Sequence, residues 1–219
     1  MKTKKFIIYF LAAILGGCLP VASIHCLYTE ENAAFEEKLL GTWVQEPNSP
    51  ITIWEFTRDG EEPNNVYKLI FTDEEGKKGS FTAAMVKLKD KLFLDVFPDE
   101  MPWDSKGDPN KLEWPYNAFL MIPVDTFLKV DSIEPQLKLR LTDEDELKKL
   151  LKDEPNAVNH AIIENRLILT ASTKELQAFV LKYADDERLF ADAIELHRKA
   201  AMEPNSPAPA KPTASGTKQ

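Results

Sequence analysis

From Ile51 to Leu141 the apolar residues recur at every second position, and this spacing is the strongest constraint on the fold. Alternate residues of "ITIWEFT", led by Ile51 and Ile53, make one strand. "VYKLIFT" sets Tyr67, Leu69 and Phe71 on one face, and "SFTAAMVKL" does the same for Phe81, Ala83 and Met85. "LFLDVF" aligns Leu92, Leu94 and Val96, and "QLKLRL" aligns Leu137, Leu139 and Leu141. A helix would scatter these residues around its circumference, whereas a strand gathers them on one side. Each segment is short, rich in β-branched or aromatic residues, and closed by turns such as "DEEGKKG" and "KDK". "TWVQE" precedes them, and "YNAFLMIPVDTFLKV" and "AIIENRLILT" complete eight strands in meander order. Eight antiparallel strands leave two raw edges unless the sheet closes, and a barrel removes both.

The helical period enters late. Ser172 and Glu175 have capping-box spacing, and Leu176, Phe179, Val180 and Tyr183 form one apolar stripe behind them. "DEDELKKLLKD" predicts a surface helix capped at Thr142 or Asp143. "DERLFADAIELHRKAA", with Leu189, Ala193 and Leu196 on one side, predicts a final helix that includes His197. The expected fold is mainly β, an eight-stranded antiparallel barrel with C-terminal helices, occupying residues 31–200.

The ends of the chain carry different information. Lys2, Lys4 and Lys5 precede an apolar run from Phe6 to Leu15, too short to span a bilayer and laid out as a signal peptide over residues 1–17. Leu15-Gly16-Gly17-Cys18 resembles the bacterial lipobox. That resemblance implies lipidation of Cys18, a tether over residues 18–30, and a cell-envelope location with a membrane partner reached through the lipid anchor. Leu19 after the cysteine, in place of Asp, implies the outer membrane facing the periplasm by the sorting rule of that signal. Residues 201–219 are Pro, Ala, Ser, Thr and Lys with almost no large apolar side chain, the composition of a disordered tail.

Gly41-Thr42-Trp43 resembles the Gly-x-Trp signature of lipocalins. The resemblance implies that this stretch opens the first barrel strand and that Trp43 closes the barrel floor. It also implies an arginine stacked on the indole, for which Arg140 and Arg166 are the sequence candidates. At larger scale the chain is similar to a group of bacterial envelope lipoproteins, a likeness that implies location and no activity.

Two readings of the barrel interior remain open. In the first it encloses a small apolar or amphipathic ligand, with Tyr67, Leu69, Phe71, Phe81, Met85 and Phe119 lining the cup and the loop from Pro98 to Pro115 as its lid. Alternatively the same side chains fill a solid core, and the barrel is a structural or interaction module for an envelope protein. Trp103 and Trp114, flanking the loop, are the surface candidates for ligand or partner contact, while Trp54 is expected to pack on the sheet. The net charge of −9 argues against nucleic acid, and loss of a lysine-bearing leader makes the remainder more acidic. His25, His160 and His197 lie in no nucleophile–base pattern, so no catalytic residue and no cofactor is predicted. Cys26 and His25 are adjacent but lack second partners at zinc spacing, so no metal site is predicted.

The lipobox reading has a direct test. Expressed as the full chain, Cys18→Ser is expected to incorporate no labelled palmitate. Continued labelling would contradict it.

Overall fold

In the computed structural model the described residues are 20–45, 52–60, 65–99 and 122–199. The leader, Cys18, the tail, and the stretch with Trp103, Trp114 and Phe119 lie outside them. Two short strands come first, β1 (Ala22–Ser23) and β2 (Ala33–Ala34). The meander follows: β3 (Gly41–Val44), β4 (Ile53–Arg58), β5 (Val66–Thr72), β6 (Lys78–Leu88), β7 (Lys91–Pro98), β8 (Thr126–Ser132) and β9 (Leu137–Leu141). Helix α1 (Glu144–Asp153), the hairpin β10 (His160–Ile163) and β11 (Arg166–Leu169), and helix α2 (Thr173–Lys182) come next, and β12 (Ile194–Arg198) is last.

The eight strands from β3 to β9 together with β12 close into an antiparallel lipocalin-like barrel. Seven pair with their sequence neighbours, and β6 with β7 and β8 with β9 continue the ladder. The eighth differs from expectation. "AIIENRLILT" is not a barrel strand. It folds as the β10–β11 hairpin through a turn at Glu164 and Asn165, both with positive φ, and joins β1 in a separate three-stranded sheet.

The closing strand is β12, within the segment expected to be the final helix. It pairs with β9 on one side and β3 on the other. Helix-favouring Ala, Leu, Glu and Arg around it suggest the wrong element, and tertiary pairing overrides that preference. Within "IELHR" the alternation is visible: Leu196 is fully buried and Glu195 points out to Lys138 at 2.6 Å. His197 therefore sits in a strand, with Nδ1 3.5 Å from Gln136 Nε2.

Both remaining helices precede this last strand and cover the outside of the barrel. The capping residue of α1 is Asp143, whose carboxylate accepts the Asp145 and Glu146 N–H groups. At α2 the Ser172 N–H donates to Glu175 at 3.0 Å, as the capping-box spacing implies. Helix α1 is less superficial than its charge suggests, since Leu147 and Leu150 are fully buried. They join Leu176 and Val180 of α2, Leu167 and Leu169 of β11, and the outward-facing Phe93 and Phe127 in an external core. Phe190 bridges the last two, with ring centroids 6.0 and 6.3 Å away. Val21 and Leu27, fully buried, belong to the same core. The stretch expected as a tether over residues 18–30 is thus built into the fold from Val21 onward, and the domain begins earlier than residue 31.

The barrel floor is closed by Trp43, which is fully buried and donates Nε1–H to the Leu39 carbonyl at 2.8 Å. Its stacking arginine is neither Arg140 nor Arg166. Those pair with Asp131 and Glu144 respectively. Arg198, in β12, places its guanidinium 4.3 Å from the Trp43 ring and donates to the Leu40 and Lys38 carbonyls at 2.8 and 2.6 Å. Gly41 makes this approach possible: its φ is +122°, and a Cβ there would sit 2.6 Å from Arg198 Nη1.

The two arginines should therefore respond differently to truncation. Arg198→Ala is expected to cost about 2 kcal/mol in urea unfolding, from two charged hydrogen bonds and a stack at a partly exposed site. Arg140→Ala, which loses the Asp131 ion pair and one long hydrogen bond to the Ala191 carbonyl, should cost about 1 kcal/mol. Equal losses would contradict the assignment.

Candidate functional site

Among the described residues, side chains fill one end of the barrel and leave an apolar depression at the other. Trp43, Phe56, Tyr67, Met85, Leu94, Leu139 and Leu196, all with 1% exposure or less, fill the floor and middle. Tyr67 is a pillar here. Its hydroxyl oxygen accepts the Glu36 N–H at 2.6 Å, its ring stacks on Phe35 at 4.5 Å, and burial pushes its phenol up to about 12. Two of the sequence-predicted lining residues, Tyr67 and Met85, thus lie in the packed half and support the site from below.

The other end holds a cavity of about 260 Å³ bordered by Trp54, Leu69, Phe71, Phe81, Val96, Leu128 and Leu141. Leu69, Phe71 and Phe81 were expected from their alternation. Trp54 was not: it points inward, edge-on to Phe71 with centroids 5.1 Å apart. The sequence reading took the Ile51–Ile53 parity as the common face, whereas the fully packed residue of β4 is Phe56, two positions from Trp54. Gly79 stands opposite Phe71 in the ladder, and the Phe81 ring leans into the room left there. A Cβ on Gly79 would lie 2.7 Å from that ring.

Among the described residues two threonines border the cavity, and both present their apolar parts to it. Thr142 Oγ1 is engaged by the Val21 N–H at 3.0 Å. Thr126 Oγ1 is buried with no hydrogen-bond partner, an uncommon and costly state for a hydroxyl. A second depression of about 270 Å³ shares Pro20, Phe81, Val96 and Thr126 with the first and runs on to Val124, Asp125 and Arg166. Together they form an apolar chamber continuous with a rim that carries charge. Pro20 lines both depressions.

Electrostatics concentrate elsewhere. A depression between Lys129, Arg140 and Asp185 is self-neutralised, with Asp185 held down to about 2 by hydrogen bonds from Lys91 and Lys129. On the outer face of β7, Asp95 is fully buried. Its Oδ2 accepts the Leu27 and Tyr28 N–H groups at 2.8 and 2.9 Å, and its Oδ1 has no partner. Burial pushes this carboxyl up to about 7 despite those two hydrogen bonds, and nearby Asp125 adds to the rise. Burial also raises Asp125. Of the histidines, His160 Nδ1 contacts the Val158 carbonyl at 2.9 Å and His25 is exposed.

The fold is a closed antiparallel barrel, packed at its floor and, among the described residues, lined by an apolar depression at the other end. Comparison with protein-family models, curated proteins and solved structures yields no match.

Asp95 gives the fold a pH signature. Its folded pKa lies above the ordinary carboxylate value, so its favourable contribution is complete below about pH 4 and is lost as pH rises through about 7. Asp95→Asn retains an acceptor for the two N–H groups and does not ionise. In chelator, its unfolding free energy relative to wild type is expected to improve by a few kcal/mol between pH 4 and pH 7. Parallel pH profiles for the two proteins would contradict this.

Proposed function

We propose that this chain is a lipid-anchored protein of the bacterial envelope that binds one small apolar or amphipathic molecule in its barrel, without a covalent step. The carrying observation is the wall chemistry of the chamber, which is apolar throughout and includes three aromatic rings, Trp54, Phe71 and Phe81. The volume selects for size. Small-molecule sites run from about 300 to 1,000 Å³, so a cavity of about 260 Å³ suits one short acyl chain or one compact ring system. The adjoining rim with Asp125 and Arg166 leaves space for a headgroup.

The lipobox adds the location. Cys18 is two residues before Pro20, and two residues span at most about 7 Å. A lipid on that cysteine would bring the cavity mouth to the membrane, which is where apolar ligands partition. A net charge of −9 favours capture through apolar contact over attraction to anionic headgroups. The outer membrane, facing the periplasm, is the location we assign.

A second reading, an interaction module for an envelope protein, draws on one observation. Ile162 and Ile163 are 61% and 57% exposed on β10, which forms one edge of the small sheet. An edge of that kind accepts a further strand.

The ligand reading is tested with a short fatty acid, octanoic acid, and with the compact hydrocarbon naphthalene, each followed by the change in tryptophan fluorescence. Val96→Phe fills the chamber from a residue common to both depressions, and should lower affinity for both probes at least about tenfold while the protein stays folded. Absence of binding by wild type, or full binding by Val96→Phe, would contradict the reading.

A further inference from the structure

Cys26 does not pair with another cysteine among the described residues, yet the fold does not leave it alone. The short bridge between Ser23 and Asp125, with N–H to carbonyl bonds of 2.9 Å in both directions, lays the N-terminal segment against the start of β8. Asp95 then clasps that segment through the Leu27 and Tyr28 N–H groups. Helix α2 holds it from the other side, where Gln177 donates to the Leu27 carbonyl at 2.8 Å. The outcome is a meeting of three segments remote in sequence: Cys26 Sγ, a carboxylate oxygen of Asp95 and one of Asp125 all lie within 4.8 Å of one another.

We propose that Cys26, Asp95 and Asp125 form a binding site for a divalent transition-metal cation, zinc foremost. Asp95 is the residue that points to a ligand. It is fully buried, its Oδ2 is fixed by two backbone N–H groups, and Oδ1 is left buried without a partner. A carboxylate oriented by hydrogen bonds on one oxygen and free on the other is the usual arrangement of a supported metal ligand. An unpaired buried carboxylate is otherwise costly.

The ligand set selects the metal. A thiolate favours zinc, cobalt or copper over calcium and magnesium, which require six or more oxygens or near-ideal octahedral geometry. Tetrahedral zinc with sulfur at about 2.3 Å and oxygen at about 2.1 Å holds its ligand atoms about 3.6 Å apart. A closure of about 1 Å from the present limit is therefore enough: rotation of exposed Cys26 shortens the two sulfur–oxygen separations, and a small turn of the Asp125 carboxylate toward Asp95 shortens the third. Burial pushes the Cys26 thiol and both carboxyls up, with the aspartates reinforcing the shift at the thiol. A cation reverses all three effects at once. His25, adjacent to Cys26, draws the Asp125 carboxyl down. No sequence spacing signals this site, because its ligands lie on three separate segments of the chain.

The test is a titration of the full chain, stripped of metal by chelator, with cobalt(II) chloride. A near-ultraviolet thiolate-to-cobalt charge-transfer band is expected, saturating at one cobalt per chain and bleached by zinc. Cys26→Ser should abolish the band and Cys18→Ser should leave it intact. Asp95→Asn and Asp125→Asn should each weaken cobalt binding at least about tenfold. Circular dichroism confirms that each variant is folded, and Asp125→Asn serves if Asp95→Asn is not. Absence of a band in wild type, loss of the band in Cys18→Ser, or unchanged affinity in the folded aspartate variants would overturn the site.

Discussion

The guanidinium of Arg198 holds the barrel shut. Among the described residues strand β12 alone links β3 and β9, so without it the described sheet has two open edges. Arg198 secures that strand at the floor by stacking on Trp43 and donating to the Leu40 and Lys38 carbonyls. The contact requires Gly41 in a backbone conformation that side chains disfavour. One interaction thus explains why the first strand opens on Gly-x-Trp and why a short strand near the end of the domain completes it.

With the floor closed, the distribution of bulk along each strand determines what the interior does. Large rings and leucines at Trp43, Phe56, Tyr67, Leu94 and Leu139 reach native packing at one end. At the other end Trp54, Phe71 and Phe81 stand around the wall without meeting across it. The outside is organised by a different core, in which the two helices, the β10–β11 hairpin and the N-terminal segment cover β7 and β8. That covering carries Cys26 to Asp95, so the apolar chamber and the proposed metal site lie on opposite faces of the same strand, Val96 facing in and Asp95 facing out.

Much of this was legible in the alternation. The inward faces of β5, β6, β7 and β9 follow from a period of two, and three cavity residues, Leu69, Phe71 and Phe81, come from it directly. The misses have physical causes. Periodicity identifies a strand but not its partners, so the β10–β11 hairpin passed for the eighth stave. "IELHR" is short and set among strong helix formers, and only pairing on both sides makes it a strand. Both residues of the Ile53–Trp54 step are large and apolar, so the parity of β4 is ambiguous without Phe56 as the reference. Val21 and Leu27 are too sparse to announce burial. Asp95 did leave a trace, as the one charge in "LFLDVF", but its meaning depends on contacts more than sixty residues away along the chain.

The central claim is that the barrel is hollow where Trp54, Phe71 and Phe81 converge. Crystals of the protein under xenon pressure test it most directly, because xenon enters dry apolar cavities and leaves packed cores untouched. The account predicts xenon density bounded by Trp54, Phe71, Phe81 and Val96. Continuous side-chain packing through that region, with no xenon bound, would contradict it.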